Sequence, residues 1–333
     1  MHVTAIGRTE MLYDSIRAIA SAGHSIDRIV TCAAENFYTV SKTDFEALAA
    51  DLDVPFLCCE DINDPQLVET FAASPSEVAV SVNWKYPIRR PTLDVFEYGV
   101  LNAHAGDLPR YRGNAAPNWA ILNGEDEVVL TVHRMSEEID AGPILTQDSV
   151  PITENTYLDD VYGAMGATFP ELFVEALDGL EAGTLTPRSQ PTDPAEALRG
   201  YPRIPKDSEI DWTQSATEIH RLVRASAEPL FGAFTYIGTD KLTIWRARTE
   251  SPPFEYCGIP GQVANRCVDD GEVAVITGAG FLVLETVQLE DGERTTATDA
   301  ITTFRTRLGM DKEAEIRRLN ARISALEDTL DDE

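Results

Sequence analysis

The first third of the chain alternates short β-branched runs with amphipathic stretches, and no other feature restricts the fold as much. Runs at 3–6, 26–31 and 55–58 are each followed by an amphipathic segment, at 11–20, 44–50 and 65–71, and two further runs lie at 78–82 and 100–102. This alternation predicts a Rossmann-like parallel sheet with helices on both faces, since neighbouring parallel strands need a crossover that a helix supplies. Sheets of this kind take ligands at the carboxyl ends of their strands. After the first run comes Ile6-Gly7-Arg8-Thr9-Glu10, with neither GxGxxG nor GxxxxGK[ST], which argues against a dinucleotide or nucleoside triphosphate pocket at that turn.

Further along, apolar residues at Leu158, Val161, Ala164, Phe169, Leu172, Phe173, Ala176 and Leu180 follow a helical period. They predict one long helix interrupted near Pro170, which closes a first domain of 1–182. Residues 183–205 are rich in Pro, Thr, Arg and Gly and lack periodicity, as a linker should. A helix over 216–226 then precedes five short strands at 233–237, 241–247, 261–268, 273–277 and 281–289. That density predicts a small OB-like β-barrel within 206–308. In the tail, 309–333, an amphipathic helix sets Ile316, Leu319, Ile323, Leu326 and Leu330 at alternating spacings of three and four. This short heptad seam would pack on its own protein or pair with a second copy as a homodimer.

The chain carries 56 acidic against 27 basic residues, a formal charge of −29. Such a surface repels phosphate backbones and anionic membranes. Only five of the bases are lysines, a balance expected of a halophilic source, where the Debye length shrinks to ~3 Å at 1 M salt. No apolar run approaches the roughly 20 residues a membrane-spanning helix requires. The N-terminus, 1–7, reads as a strand and not a secretory signal, so a cytoplasmic location is expected. Cys32, Cys58, Cys59, Cys257 and Cys267 form no CxxC pair, which predicts neither a metal site nor a disulfide framework. Cys58 and Cys59 end an apolar run and are expected to be buried strand residues.

Chemistry concentrates in 101–113. Residues two apart on a strand face the same side, so Asn102 and His104 project together where the sheet gives way to a loop. The pair offers an amide donor and an imidazole to one substrate; alternatively, Asn102 caps a turn and His104 is a half-exposed strand-end residue. In 131–144 an alternating strand runs into an acidic loop, and Asp140-Ala141-Gly142 turns back into another strand. A carboxylate there would orient His104 or raise its pKa from the ordinary ~6.5, unless Asp140 is a plain turn residue. His133, in mid-strand, reads as a structural hydrogen-bonding residue.

These segments resemble the folate-dependent formyltransferases, whose members carry an Asn-x-His strand end, a Leu-Pro-x-Tyr/Trp-Arg-Gly loop and a His-x-Met strand leading to Asp-x-Gly. Asn102, His104, the loop 108–113, Trp119, Asn123, Gly124, Glu125, His133, Met135, Asp140 and Gly142 match in order. Ile210-Asp211-Trp212, 219–225 and 232–236 resemble the barrel domain of the longer members. The resemblance implies attack of an acceptor amine on the formyl carbon of 10-formyltetrahydrofolate, the co-substrate, with no metal. Asn102 would donate to the oxyanion, His104 would handle the amine proton, and Asp140 would hold His104 and ordered water. It places the pterin against Trp84, Lys85, Tyr86, Pro87 and Ile88, with Gly106, Asp107, Leu108 and Pro109, and against Ser136, Glu137, Glu138 and Ile139.

Two departures from the family pattern bear on the folate pocket. Gly106-Asp107-Leu108-Pro109 stands where tRNA-acting members carry Ser-Leu-Leu-Pro, and Lys85-Tyr86-Pro87 replaces a glycine-containing turn. The tRNA-acting members also insert a basic, Gly-rich loop after the second strand, whereas 32–38 has no Lys or Arg, the next being Lys42. That segment and 118–121 resemble enzymes that formylate nucleotide-linked amino sugars, the expected small-molecule acceptor. The alternatives are a methionyl-tRNA formyltransferase, which the barrel domain favours, a 10-formyltetrahydrofolate hydrolase, and a catalytically silent folate-binding module.

Overall fold

The computed structural model describes residues 1–33, 38–266 and 269–331, and the chain divides into two compact units, Met1–Arg203 and Ile204–Glu333. The first unit runs β1 (His2–Gly7), α1 (Glu10–Ser21), β2 (Ser25–Thr31), α2 (Lys42–Asp51), β3 (Phe56–Cys58), α3 (Pro65–Ala73), β4 (Val78–Val82), α4 (Arg90–Leu93) and β5 (Val100–His104). It continues with β6 (Arg112–Gly113), α5 (Ala116–Asn123), β7 (Glu127–Arg134), β8 (Ile144–Pro151), α6 (Leu158–Glu181) and β9 (Arg199–Gly200). Seven strands form one sheet in the order β3-β2-β1-β4-β5-β7-β8.

The expected parallel half is present, with β1 to β5 paired in parallel. Its strands are buried on both faces, as at β4, where every residue is buried, and so read as unbroken apolar runs. Beyond it, β7 pairs antiparallel with both β5 and β8. β7 and β8 are joined by the turn around Asp140 with no helix between them, and a direct return of this kind gives an antiparallel pair. Strand order reverses between β1 and β4, which opens a crevice at their carboxyl ends. Gly7 allows that close approach: a Cβ there, at φ +144°, would lie 2.1 Å from the Val82 carbonyl oxygen.

Helix α6 is continuous over 24 residues and passes through Pro170, so the predicted interruption does not occur. Buried side chains lie on both sides of the proline, Leu158, Val161, Met165 and Phe169 before it and Leu172, Phe173 and Leu177 after it. At ~1.5–3 kcal/mol per buried side chain, that packing outweighs the ~3 kcal/mol an internal proline costs. The stretch expected as a linker is also ordered up to Arg203. Arg188 exchanges two backbone hydrogen bonds of 2.8 Å with Ile144, β9 pairs with β6, and the Trp119 indole donates to the Tyr201 carbonyl at 2.9 Å. Cys58 is exposed and Cys59 only half-buried, because β3 is a three-residue strand at the sheet's edge.

The second unit contains α7 (Ala216–Ser226), β10 (Ala233–Ile237), β11 (Asp240–Glu250), β12 (Val263–Asn265), β13 (Val273–Ile276), β14 (Phe281–Leu289), β15 (Arg294–Thr296), α8 (Ala297–Ala300) and α9 (Lys312–Asp331). Its strands pair antiparallel in the order β10-β11-β14-β13-β12, with β15 added to β14, which makes the OB-like half-barrel. Cys267 and Val268, assigned to a strand from the sequence, lie outside the described residues. Helix α7 starts in a capping box: Ser215 N–H donates to the Glu218 carboxylate at 2.8 Å, and the Ser215 hydroxyl accepts from Glu218 N–H at 3.2 Å. In α9 the seam residues Ile316, Leu319 and Ile323 are exposed, and the side chains of Leu326 and Leu330 are outside the described set. Among the described residues no helix is long and apolar enough to cross a membrane.

Phe173 is fully buried in α6. Phe173→Ala is expected to destabilise the first unit by ~3–5 kcal/mol, read as a lower midpoint of that unit's transition in chemical denaturation.

Candidate active site

The pairing of β5 with β7 sets Asn102 opposite His133 and His104 opposite Thr131. The Asn102 side-chain amide lies 3.3 Å from His133 Nε2. Asp140 enters from the β7–β8 turn in a left-handed conformation, φ 50°. Its Oδ2 is 3.6 Å from His104 Nδ1 and its Oδ1 is 3.4 Å from His133 Nε2. The residues singled out in the sequence thus meet at one place, and His133 joins them.

Hydrogen bonds to acceptor-only groups assign the ring protons. The Tyr111 and Arg134 carbonyl oxygens can only accept, so His104 Nε2–H donates to Tyr111 at 2.7 Å and His133 Nδ1–H donates to Arg134 at 3.1 Å. In the neutral rings this leaves His104 Nδ1 and His133 Nε2 as lone pairs. Asn102 donates to the latter, which keeps one of its two amide protons for another acceptor. His104 Nδ1 is a base facing a carboxylate.

Burial lowers the pKa of His104; Asp140 opposes this and His133 reinforces it, with the net result below the ordinary value. The ring is therefore neutral at neutral pH. Burial also works to raise the pKa of Asp140. The contact with His133, the fields of both imidazoles and the Gly113 N–H outweigh it and hold that carboxyl at about 2. A proton that reaches His104 Nδ1 meets an ionised partner.

The turn that delivers Asp140 is braced by residues that sequence reasoning missed. Gly113 N–H donates to Asp140 Oδ2 at 2.8 Å. The buried Gln190 amide donates to the carbonyls of Asp140 at 2.8 Å and Gly142 at 2.7 Å. Its oxygen accepts from Arg112 Nε at 3.1 Å and Nη2 at 2.7 Å. A Cβ on Gly142 would lie 1.8 Å from the Arg134 carbonyl oxygen, so this position admits only glycine. Arg112 and Gly113 belong to a recognised motif, but Gln190 lies in an aperiodic stretch and gives no local signal.

The residues expected around a pterin divide. Trp84 and Met135 pack on one cluster with Ile88, and the buried Trp84 Nε1 has no hydrogen-bond partner among the described residues. Ser136 and Glu137 line a cavity of about 540 Å³ with Met135 and Val100. Ser136 donates to the Glu138 carbonyl at 2.9 Å, Glu138 pairs with Arg199 at 2.8 Å, and Ile139 is exposed. Lys85 lies over the exposed Tyr86 ring, and the Pro87 carbonyl accepts from Asn63 at 3.0 Å. Gly106 and Asp107 instead line a separate cavity of about 70 Å³. Leu108 is buried and Pro109 half-buried beside them.

Residues 18–177 match the formyl transferase family and residues 203–305 match the formyl transferase C-terminal domain. The chain belongs to the formyl transferase family. It is similar to HypX from Aquifex aeolicus, solved in complex with tetrahydrofolic acid (19% identity, TM-score 0.60), with 91% of this chain matching 47% of that one. The chain thus spans about half the length of HypX. It is also similar to an N-formyltransferase from Helicobacter canadensis, solved with folinic acid and dTDP-3-aminofucose (17% identity, TM-score 0.63, 85% of this chain and 97% of that one). A sugar N-formyltransferase from a Shewanella species matches at 20% identity and TM-score 0.56, over 77% of this chain and 99% of that one.

Two outcomes follow from this geometry. Gln190→Ala leaves the Asp140 and Gly142 carbonyls and the Arg112 guanidinium short of partners, and is expected to cost ~1–3 kcal/mol in denaturation while lowering kcat more than it raises KM. Asp140 ionises at about 2 when folded against ~3.9 unfolded, so its charge stabilises the protein above pH ~4 and ceases to do so as pH falls towards 2. Asp140→Asn should therefore be less stable than the parent at pH 7, with the gap closing between about pH 4 and 2 in pH-dependent denaturation.

Proposed function

We propose that this protein transfers the formyl group of 10-formyltetrahydrofolate to the amino group of a nucleotide-linked amino sugar, with Asn102, His104 and Asp140 as the reacting groups. The observation that carries the reading is the convergence of a free amide proton, a neutral imidazole and an ionised carboxylate at one strand end. The amine nitrogen attacks the formyl carbon, and the carbonyl π electrons move to oxygen. The second Asn102 amide proton is available to that oxyanion. The proton released from nitrogen passes to His104 Nδ1, where Asp140 stabilises the imidazolium. It then goes to N10 of the carrier as the carbon–N10 bond breaks, leaving tetrahydrofolate and the N-formyl sugar.

For the carrier, the unpartnered Trp84 Nε1 is a buried donor beside an apolar cluster, which fits a heterocycle with ring acceptors. For the acceptor, the H. canadensis protein was solved with an amino sugar on dTDP, and the net charge of −29 disfavours a tRNA stem. The segment 34–37, part of the stretch whose lack of basic residues argued against tRNA, lies outside the described residues, so this point rests on sequence alone.

Asn102→Ala, His104→Ala and Asp140→Ala are each expected to lower kcat by ~100-fold or more. Near-normal turnover of His104→Ala would remove it from the mechanism. Tetrahydrofolate release should be followed with nucleotide-linked amino sugars, with charged initiator tRNA and with neither. Turnover only with tRNA overturns the acceptor, and formate release without any amine makes the protein a hydrolase.

A further inference from the structure

A cavity of about 180 Å³ opens beside His104 at the switch between β1 and β4, lined by Thr9, Glu10, Asn83, Tyr162 and Phe169 among others. It is smaller than the ~300–1,000 Å³ of sites that enclose a whole drug-sized ligand, and at ~30 Å³ per water it holds the volume of about six waters. A single sugar ring is of that scale; a nucleotide is not.

Two polar atoms in its wall have no hydrogen-bond partner among the described residues, Thr9 Oγ1 and Glu10 Oε2, and both are buried. Thr9 is only 2% exposed and holds a φ of 96°, a left-handed conformation that threonine rarely adopts. Strain and unmet polar groups in one place are unfavourable for folding alone and mark a site completed by a ligand. The segment is fixed from below, since Arg8 N–H donates to the Val82 carbonyl at 3.2 Å and Gly7 presses on the same carbonyl. Among the described residues neither Lys nor Arg lines the cavity, and Glu10 is the acidic residue in its wall. Burial, with Tyr38 and Glu10 adding to it, pushes the Tyr162 phenol up to about 12, so it stays protonated.

We propose that Glu10 and Thr9 recognise the acceptor: the Glu10 carboxylate accepts hydrogen bonds from the amine N–H and ring hydroxyls of the amino sugar, Thr9 Oγ1 binds a further hydroxyl, and the nucleotide remains outside. The inference rests on the acceptor class proposed above and assigns the residues that select it. A carboxylate in this position rejects phosphate or carboxylate at the end of the acceptor nearest His104 and favours an unblocked amine.

Calorimetric titrations with 5-formyltetrahydrofolate bound, so that no reaction occurs, test the assignment. The probes are dTDP-3-aminofucose, or whichever nucleotide-linked amino sugar turns over fastest, and its N-acetylated form. A hydrogen bond to a charged group corresponds to ~10–100-fold in affinity, so the parent should prefer the amine by at least ~10-fold. Glu10→Gln, nearly identical in shape, should abolish that preference, and Thr9→Val should weaken both probes alike; folate affinity should not change in either variant. An unaltered preference in Glu10→Gln, or a parallel loss of folate affinity, overturns the assignment. Failure of the parent to bind any such sugar rejects the acceptor class itself.

Discussion

The antiparallel register between β5 and β7 is the constraint on which the site depends. It sets His133 against Asn102, and a slip of one residue would turn Asn102 and His104 to the opposite face of the sheet. Because β7 runs antiparallel to β5, the chain leaves it at Arg134, opposite Leu101 near the start of β5. A short turn then brings Asp140 to both imidazoles.

The electrostatics at Asp140 follow from how the two rings are tied. Each histidine commits one nitrogen to a backbone carbonyl, which fixes both ring orientation and tautomer. The Asp140 carboxylate lies between the two imidazoles and also accepts from Gly113 N–H. The buried Gln190–Arg112 contact holds the same turn from outside. The cost of burying the carboxylate is therefore met by the two imidazoles together with the Gly113 N–H. Were a neighbouring arginine to neutralise Asp140 instead, an imidazolium on His104 would gain little.

Much of this was legible in the sequence. The apolar runs at 3–6, 26–31, 55–58 and 78–82 correspond to the parallel strands, because a strand buried on both faces needs apolar residues at every position. The Asn102, His104 and Asp140 motifs pointed to one site through their order. What escaped were features without periodicity. Gln190 acts through a side-chain amide delivered by an irregular segment, and irregular segments leave no pattern. Pro170 misled because the local rule against internal proline was overridden by tertiary packing along α6. The two-residue strands β6 and β9 are below the length at which alternation means anything. In α9 the heptad spacing held, yet the exposed Ile316, Leu319 and Ile323 make no tight seam within the second unit.

Surface charge and site chemistry pull in opposite directions. A charge of −29 repels a nucleotide diphosphate at long range, although the proposed acceptor carries one. In ~1 M salt the Debye length falls to ~3 Å, and repulsion from distant acids no longer reaches the crevice. Recognition then depends on groups in direct contact, such as the half-buried Glu10, whose Oε2 is shielded from solvent. The feature that looks least suited to an anionic substrate therefore leaves selection to the amine-bearing end, the part of the acceptor that lies next to His104.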